Sequence, residues 1–182
     1  MDKIAKKVEV EFNMVARLMY PRPVVLVTCI DRIGKPNILP MAWTMPTSFD
    51  PPLIAISVAL KRYSHELIKE THEFVINIPE KKLANKIDYL GRVSGMDVDK
   101  FERSGMTILS AKIVRPPLIA ECIAHIECNL VSSLETGDHT IFVGKVVAAQ
   151  VDEDIFSTDY DLNKVQVILR HKKRYLTLGD YV

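Results

Sequence analysis

No apolar run in this 182-residue chain approaches the roughly 20 residues that a bilayer-crossing helix needs, so no membrane span is expected. Cysteine is scarce. Cys29, Cys122 and Cys128 form an odd set in a chain whose start carries no secretory apolar segment, which points to reduced thiols in a cytoplasm rather than a disulfide framework. An excess of either charge is lacking too: 24 Lys+Arg stand against 23 Asp+Glu, a net charge of +1, so no global field draws the protein to nucleic acid or to an anionic membrane. Any anion site must therefore be local. Also missing are a G-x-G-x-x-G turn after a strand, a P-loop, an H-E-x-x-H helix and a G-x-S-x-G elbow, which removes support for a dinucleotide fold and for a triad hydrolase. With no internal repeat, low-complexity tract or linker, residues 1–182 read as one domain, long enough to bury roughly 70 % of the unfolded surface.

The hydrophobic pattern is mostly that of strands. Ile4, Val8, Phe12 and Val15 recur at helical spacing and predict an amphipathic helix over 4–17, stopped by the two prolines of "YPRP". "VVLVTCI" (24–30), the turn "DRIGKPN" and residues 37–43 predict a hairpin; "LIAISVAL" (53–60) predicts another strand. "YSHELIKETH" reads as a short helix with Ser64 as N-cap and Leu67 and Ile68 facing inward. "EFVINIP" (73–79) reads as a strand and "EKKLANKIDYL" as a helix, followed by a Gly-punctuated loop from 91 to 105. The strand "LIAECIAHIECNLVSSL" (118–134), the turn "ETGDH" and the returning strand "TIFVGKVVAAQV" complete a mostly β barrel with helices at its edges.

Cys122, His125 and Cys128 stand three apart, a spacing that would gather metal ligands on a helix. The two-residue period fits this segment better. Even positions 118–130 are apolar and odd positions carry Glu121, His125, Glu127 and Asn129, so the cysteines and the histidine face opposite sides, the histidine at the surface, and no metal site is expected.

Several segments taken in order, "RPVVLVTCIDRIGKPN", "SFDPPLIAISV", "EFVINIP", "SGMDVDKF", "AECIAHIECNL" and "GDHTIFVGKV", resemble the flavin reductase-like family, which has an FMN-binding split β-barrel, and in particular its flavoredoxin-type branch with archaeal FMN-binding proteins and ferric reductases. The resemblance runs nearly end to end. It implies a homodimer holding one FMN near each barrel, and electron transfer from NADH or NADPH through the flavin to free flavin, a ferric complex or a partner protein. It also implies that the wall beside the ring is made by Met41, Ala42, Trp43 and Thr44, with Asn37, Ser57 and Val58 nearby. Ala42 departs from the serine that many relatives carry, leaving backbone contact only.

The resemblance places the phosphate at "KRYSHEL", where Lys61, Arg62 and Ser64 bring positive charge and a hydroxyl to a helix start. Lys100 matches a family lysine near the flavin, suited to stabilising negative charge on the reduced ring; a surface pairing with Asp97 or Asp99 is the alternative. His139 matches a histidine on the open face of the flavin, where nicotinamide or acceptor would lie, and is otherwise a solvated turn residue. Trp43 could equally be a core or interface aromatic, and Lys61 to Ser64 an ordinary basic turn. Tyr175 could cover the flavin. Arg92, Arg103, Arg170, Lys172, Lys173 and Arg174 are each available for a 2′-phosphate, which leaves the choice of nicotinamide open. Hydride transfer between stacked rings needs no nucleophile or acid/base pair, so a flavin reductase, an FMN-binding electron carrier and a barrel that has lost its flavin remain alternatives.

Overall fold

A computed structural model of the protein describes residues 5–178. After a 3-10 segment at Phe12–Met19 come β1 (Arg22–Pro23), β2 (Val25–Ile30), β3 (Pro36–Met41), β4 (Thr44–Phe49) and β5 (Pro52–Ala59). Helix α1 (Tyr63–Thr71), β6 (Glu73–Ile78), α2 (Ala84–Arg92) and α3 (Lys100–Ser104) follow. The remaining strands are β7 (Ile108–Leu109), β8 (Leu118–Ile119), β9 (Ala124–Thr136), β10 (His139–Val151), β11 (Leu169–His171) and β12 (Arg174–Leu176).

Seven strands form the main sheet, in the order β3-β2-β6-β9-β10-β5-β4, with every neighbouring pair antiparallel. Laid flat, its two edge strands would lie about 29 Å apart at the usual strand spacing. Yet the edges β3 and β4 are joined through Ala42 and Trp43 alone, a link that reaches about 11 Å when fully extended. The sheet must curl until its edges approach one another. It is thus a mostly β, rolled sheet that stays unpaired along one seam.

Period-2 alternation on β2 fills both sides of that roll. Val25, Val27 and Cys29 share a buried cluster with Ile56 and Val58 of β5, Phe74 of β6, Phe142 of β10 and Leu67 and Ile68 of α1. Leu26, with Ile38 of β3, turns the other way and packs on Leu83, Ile87, Leu90 and Phe101 beneath α2 and α3. Strands β2 and β5 are separated by three others in the sheet, so their meeting in one core follows from the curl.

Five details differ from the sequence expectations. The predicted helix at 4–17 shrinks to the 3-10 segment; Ile4 lies outside the described residues, and Val8, Phe12 and Val15 are exposed, so no burial stabilises a longer helix. Residues 44–49 form a strand, and the 91–105 loop contains α3, started by Asp99 accepting from the Glu102 N–H at 3.0 Å. The 118–134 strand is broken by a turn at 120–123, where the Ile123 N–H bonds to Ile78 O at 2.9 Å. Finally, His125 is buried rather than at the surface. Its Nδ1 lies 2.8 Å from Asn77 Oδ1, and the adjacent Glu127 carboxylate accepts from the N–H groups of Lys112, Ile113 and Val114. The 111–119 segment covers the face that alternation alone assigns to solvent.

Gly144 sits at a bulge in β10, where a Cβ would stand 2.5 Å from Phe74 Cζ and 2.8 Å from Cys128 Cβ. Gly144→Ala should therefore lower unfolding stability by about 1–3 kcal/mol, the usual cost of overpacking, as a reduced denaturation midpoint with unchanged slope.

Candidate functional site

The curl brings the seam to the end of β5 and the start of α1. Met41, Ala42 and Trp43 form one wall of a cleft of about 300 Å³; Ser57 and Val58 of β5, Lys61, Arg62 and His139 form the others. Trp43 is fixed on the β5 side, its carbonyl accepting from the Ser57 N–H at 2.9 Å. Among the described residues, both backbone polar groups of Ala42 and the N–H of Trp43 lack hydrogen-bond partners. A planar ligand with polar edges would satisfy them.

Trp43 and His139 stack, their ring centroids 4.7 Å apart and their planes 24° from parallel. His139 Nδ1 lies 2.6 Å from Asp138 Oδ1, and this hydrogen bond holds the Asp138 carboxyl below the usual carboxylate range. An ionised carboxylate only accepts, so Nδ1 carries a hydrogen and Nε2 remains for a ligand.

A smaller cavity of about 140 Å³ adjoins through Leu39, Lys61 and Arg62. Here the structure corrects the cap assignment: Arg62 is the N-cap of α1, with an extended backbone, and Ser64 is the helix's second residue. Asn37 Nδ2 donates to Ser64 Oγ at 2.7 Å, which turns the serine's own hydrogen elsewhere. The N–H of His65 bonds to Arg62 O, while those of Tyr63 and Ser64 have no intrahelical partner, as expected for a first turn. Free N–H groups, a hydroxyl and four cations, Lys61, Arg62, Arg92 and Lys100, converge on one space, a donor set suited to a phosphate. Asn37 Oδ1 is buried without a partner, and it lies so close to Gly95 that any Cβ there would run into it.

Lys100 lines the same cavity and is buried; among the described residues it forms no surface ion pair with Asp97 or Asp99. Its Nζ donates to Ile38 O and Leu90 O, each at 2.9 Å, tying α3 to β3 and α2. An ammonium has three hydrogens, so one remains. Burial, then the Arg62 charge, pulls its pKa down to about 8. Burial pushes the neighbouring Cys29 thiol up to about 12, which keeps it protonated and unreactive.

Two predicted residues fall elsewhere. Thr44 Oγ1 donates to Ala55 O at 3.0 Å and serves the sheet. Tyr175 stands across the Met41–Trp43 wall in a third cleft, of about 460 Å³, with Tyr20, Arg22 and Arg170. Arg62 borders all three spaces. Sequence reasoning missed Tyr20, Arg22, Gly95 and Asp138. Only Asp138, beside His139 in "GDH", carried a local signal.

Comparison with known proteins gives a consistent picture. The family described as flavin reductase like domain matches residues 16–177. An uncharacterized protein of Archaeoglobus fulgidus is 37% identical over 135 residues, which cover 74% of this chain and 76% of the relative. The structure of flavoredoxin of Desulfovibrio vulgaris (Miyazaki F) is similar with a TM-score of 0.86 and 31% identity, covering 98% of this chain and 96% of its own. An FMN-binding protein from Thermus thermophilus, solved with bound 1-cyclohex-2-enone, shares the fold with a TM-score of 0.81 at 23% identity, over 100% of this chain and 98% of its own.

Lys100 yields a pH test. Its folded pKa of about 8 lies below the ordinary 10.5, so at pH below 8 folding carries the full cost of burying the charge. Between these values the unfolded chain binds more protons, and stability rises with pH by about 3 kcal/mol at most. Unfolding free energies measured from pH 7 to 10.5 should show this rise in the wild type relative to Lys100→Met; parallel curves would contradict the assignment.

Proposed function

The chain belongs to the flavin reductase-like family, and on that premise we propose that it is a flavoprotein oxidoreductase that holds FMN in the two adjoining spaces and passes electrons from a reduced nicotinamide dinucleotide to an acceptor. One observation carries this reading: a phosphate-type donor set at the start of α1 opens into a cleft whose far wall is unpaired backbone at Ala42 and Trp43. A flavin mononucleotide has that same division, an anionic end and a planar end with polar edges.

The residues fit the group. Arg62, Lys61 and Ser64 would take the phosphate, and the partnerless Asn37 Oδ1 calls for a donor such as a hydroxyl of the ribityl chain. Ala42 and Trp43 would meet the ring edge through their backbone, with Ser57 and Val58 along the β5 side. When bound, FMN supplies an acceptor for two electrons and a proton delivered together as hydride. The protein's part is orientation and charge. Asp138 fixes the His139 ring, Trp43 supports its face, and Nε2 is left towards an incoming partner; Lys100 and Arg62 keep positive charge close to the cleft.

A homodimer belongs to the same proposal. Phe12 and Phe49 are 96% and 97% exposed, and a second copy would remove such large apolar side chains from water. Light scattering should give twice the 20.6 kDa chain mass; a monomer that retains stoichiometric FMN would overturn this part.

The central experiment has two arms. Arg62→Ala combined with Ser64→Ala should weaken FMN at least about tenfold and riboflavin hardly at all; equal losses for both would refute the cradle. His139→Ala should slow anaerobic flavin reduction by NADH or NADPH about tenfold, roughly 1.4 kcal/mol, with FMN affinity unchanged. If the wild-type flavin is reduced by dithionite but by neither nicotinamide, the protein is an electron carrier, a reading favoured by its likeness to flavoredoxin.

A further inference from the structure

The third cleft, of about 460 Å³, shares the Met41–Trp43 wall and Arg62 with the ring cleft, and the reading above assigns FMN to the other two spaces. Its charge is one-sided. Arg22, Arg62, Arg92, Arg170 and Lys173 line it against a single acid, Asp88, which is already paired with Arg92. In a chain with net charge +1 this is a local concentration.

A small three-stranded sheet, β1-β11-β12, builds the cationic side. Arg22 stands directly opposite Arg170, and Arg170 directly opposite Tyr175, so the three form one row across the sheet. Opposed residues have Cβ atoms about 5 Å apart, and like charges so placed repel. Among the described residues neither arginine pairs with an acid, and Arg22 Nε is buried without a partner. Aromatic rings hold the charges in place: the Arg22 guanidinium carbon lies 4.6 Å from the Tyr20 ring centroid and 5.4 Å from that of Trp43, and Arg170 lies 5.9 Å from Tyr175. Repulsion held in a fixed geometry is relieved by a multiply charged anion, and guanidinium pairs match phosphate oxygens.

We propose that this cleft binds the phosphorylated adenosine end of the nicotinamide dinucleotide, with Arg22, Arg170 and Lys173 meeting the 2′-phosphate and so selecting NADPH over NADH. The proposal rests on the reductase reading for its donor. The shared wall explains the choice: a dinucleotide seated here by its adenosine end borders the same Ala42 and Trp43 as the ring cleft. Tyr20 and Tyr175 supply aromatic surface for the purine, and the cations beyond those used by FMN suit a pyrophosphate plus a phosphate monoester.

Titration calorimetry on the purified flavoprotein, using NADP⁺, NAD⁺ and adenosine 2′,5′-bisphosphate, tests this directly. NADP⁺ should bind at least about tenfold more tightly than NAD⁺, and its affinity should fall as salt is raised. Arg170→Ala with Lys173→Ala should reduce NADP⁺ affinity about tenfold, to the NAD⁺ level, with NAD⁺ and FMN affinities unchanged; Lys173→Ala alone gives the same direction should the double variant not fold. Equal wild-type affinities, or equal losses for both dinucleotides in the variant, would overturn the proposal. Failure of the bisphosphate to bind would also overturn it. Retained 2′-phosphate discrimination without flavin reduction by either nicotinamide would remove the reductase reading and leave the cleft assignment standing. Reduction by both nicotinamides at equal efficiency without discrimination would do the reverse.

Discussion

A two-residue tether governs this molecule. Ala42 and Trp43 are all that separates the opposite edges of a seven-stranded sheet, so the sheet must roll, and the roll cannot zip shut where the tether crosses. Everything of chemical interest gathers at that seam. The junction of β5 with α1 and the turn before β10 are remote in sequence, yet the roll sets them around the same few backbone atoms. Ala42 lies outside the hydrogen-bonded ladder and Trp43 joins it through its carbonyl alone, so both polar groups of Ala42 and the Trp43 N–H remain available at the cleft.

Charge is distributed on the same plan. The chain is nearly neutral, but Arg22, Lys61, Arg62, Arg92, Arg170 and Lys173 line the two clefts that share the Met41–Trp43 wall, with Arg62 common to both. Several are held by neutral groups: Lys100 by two carbonyls, Arg22 by two aromatic rings. Such holding fixes position without cancelling charge, which suits a site meant for an anion and is unfavourable for stability alone.

How much of this could be read from the chain varied with the range of the cause. The hairpin of β2 and β3 was legible because two β-rich runs flank a Gly-containing turn, and α1 because Leu67 and Ile68 fix its inner face. Helix α3 was missed although Asp99 and Glu102 stand at capping spacing with Gly105 behind, since its five residues are too few to show a period. The strand β4 was missed because Pro46 argues against a ladder and neither face is buried. His125 and Glu127 were assigned to the surface because alternation says which residues share a face and not what covers it. At the site, the residues placed by the resemblance came together except Thr44 and Tyr175. The opposition of Arg22 and Arg170 depends on strand register between the two ends of the chain, which leaves no local trace.

The seam also leaves the sheet with two edges that have no strand neighbour, β3 buried beneath α2 and α3 with Lys100 on its Ile38 carbonyl, and β4 open to solvent, each in principle a template for another chain's strand. Proline stands on both: Pro36 and Pro40 on β3, and Pro46 on β4, where a bulge follows between Pro46 and Ser48. Each proline removes a donor from the row that an incoming strand would need, and the bulge breaks its spacing. The opening required for ligand access is thereby made a poor template for strand addition along the main sheet.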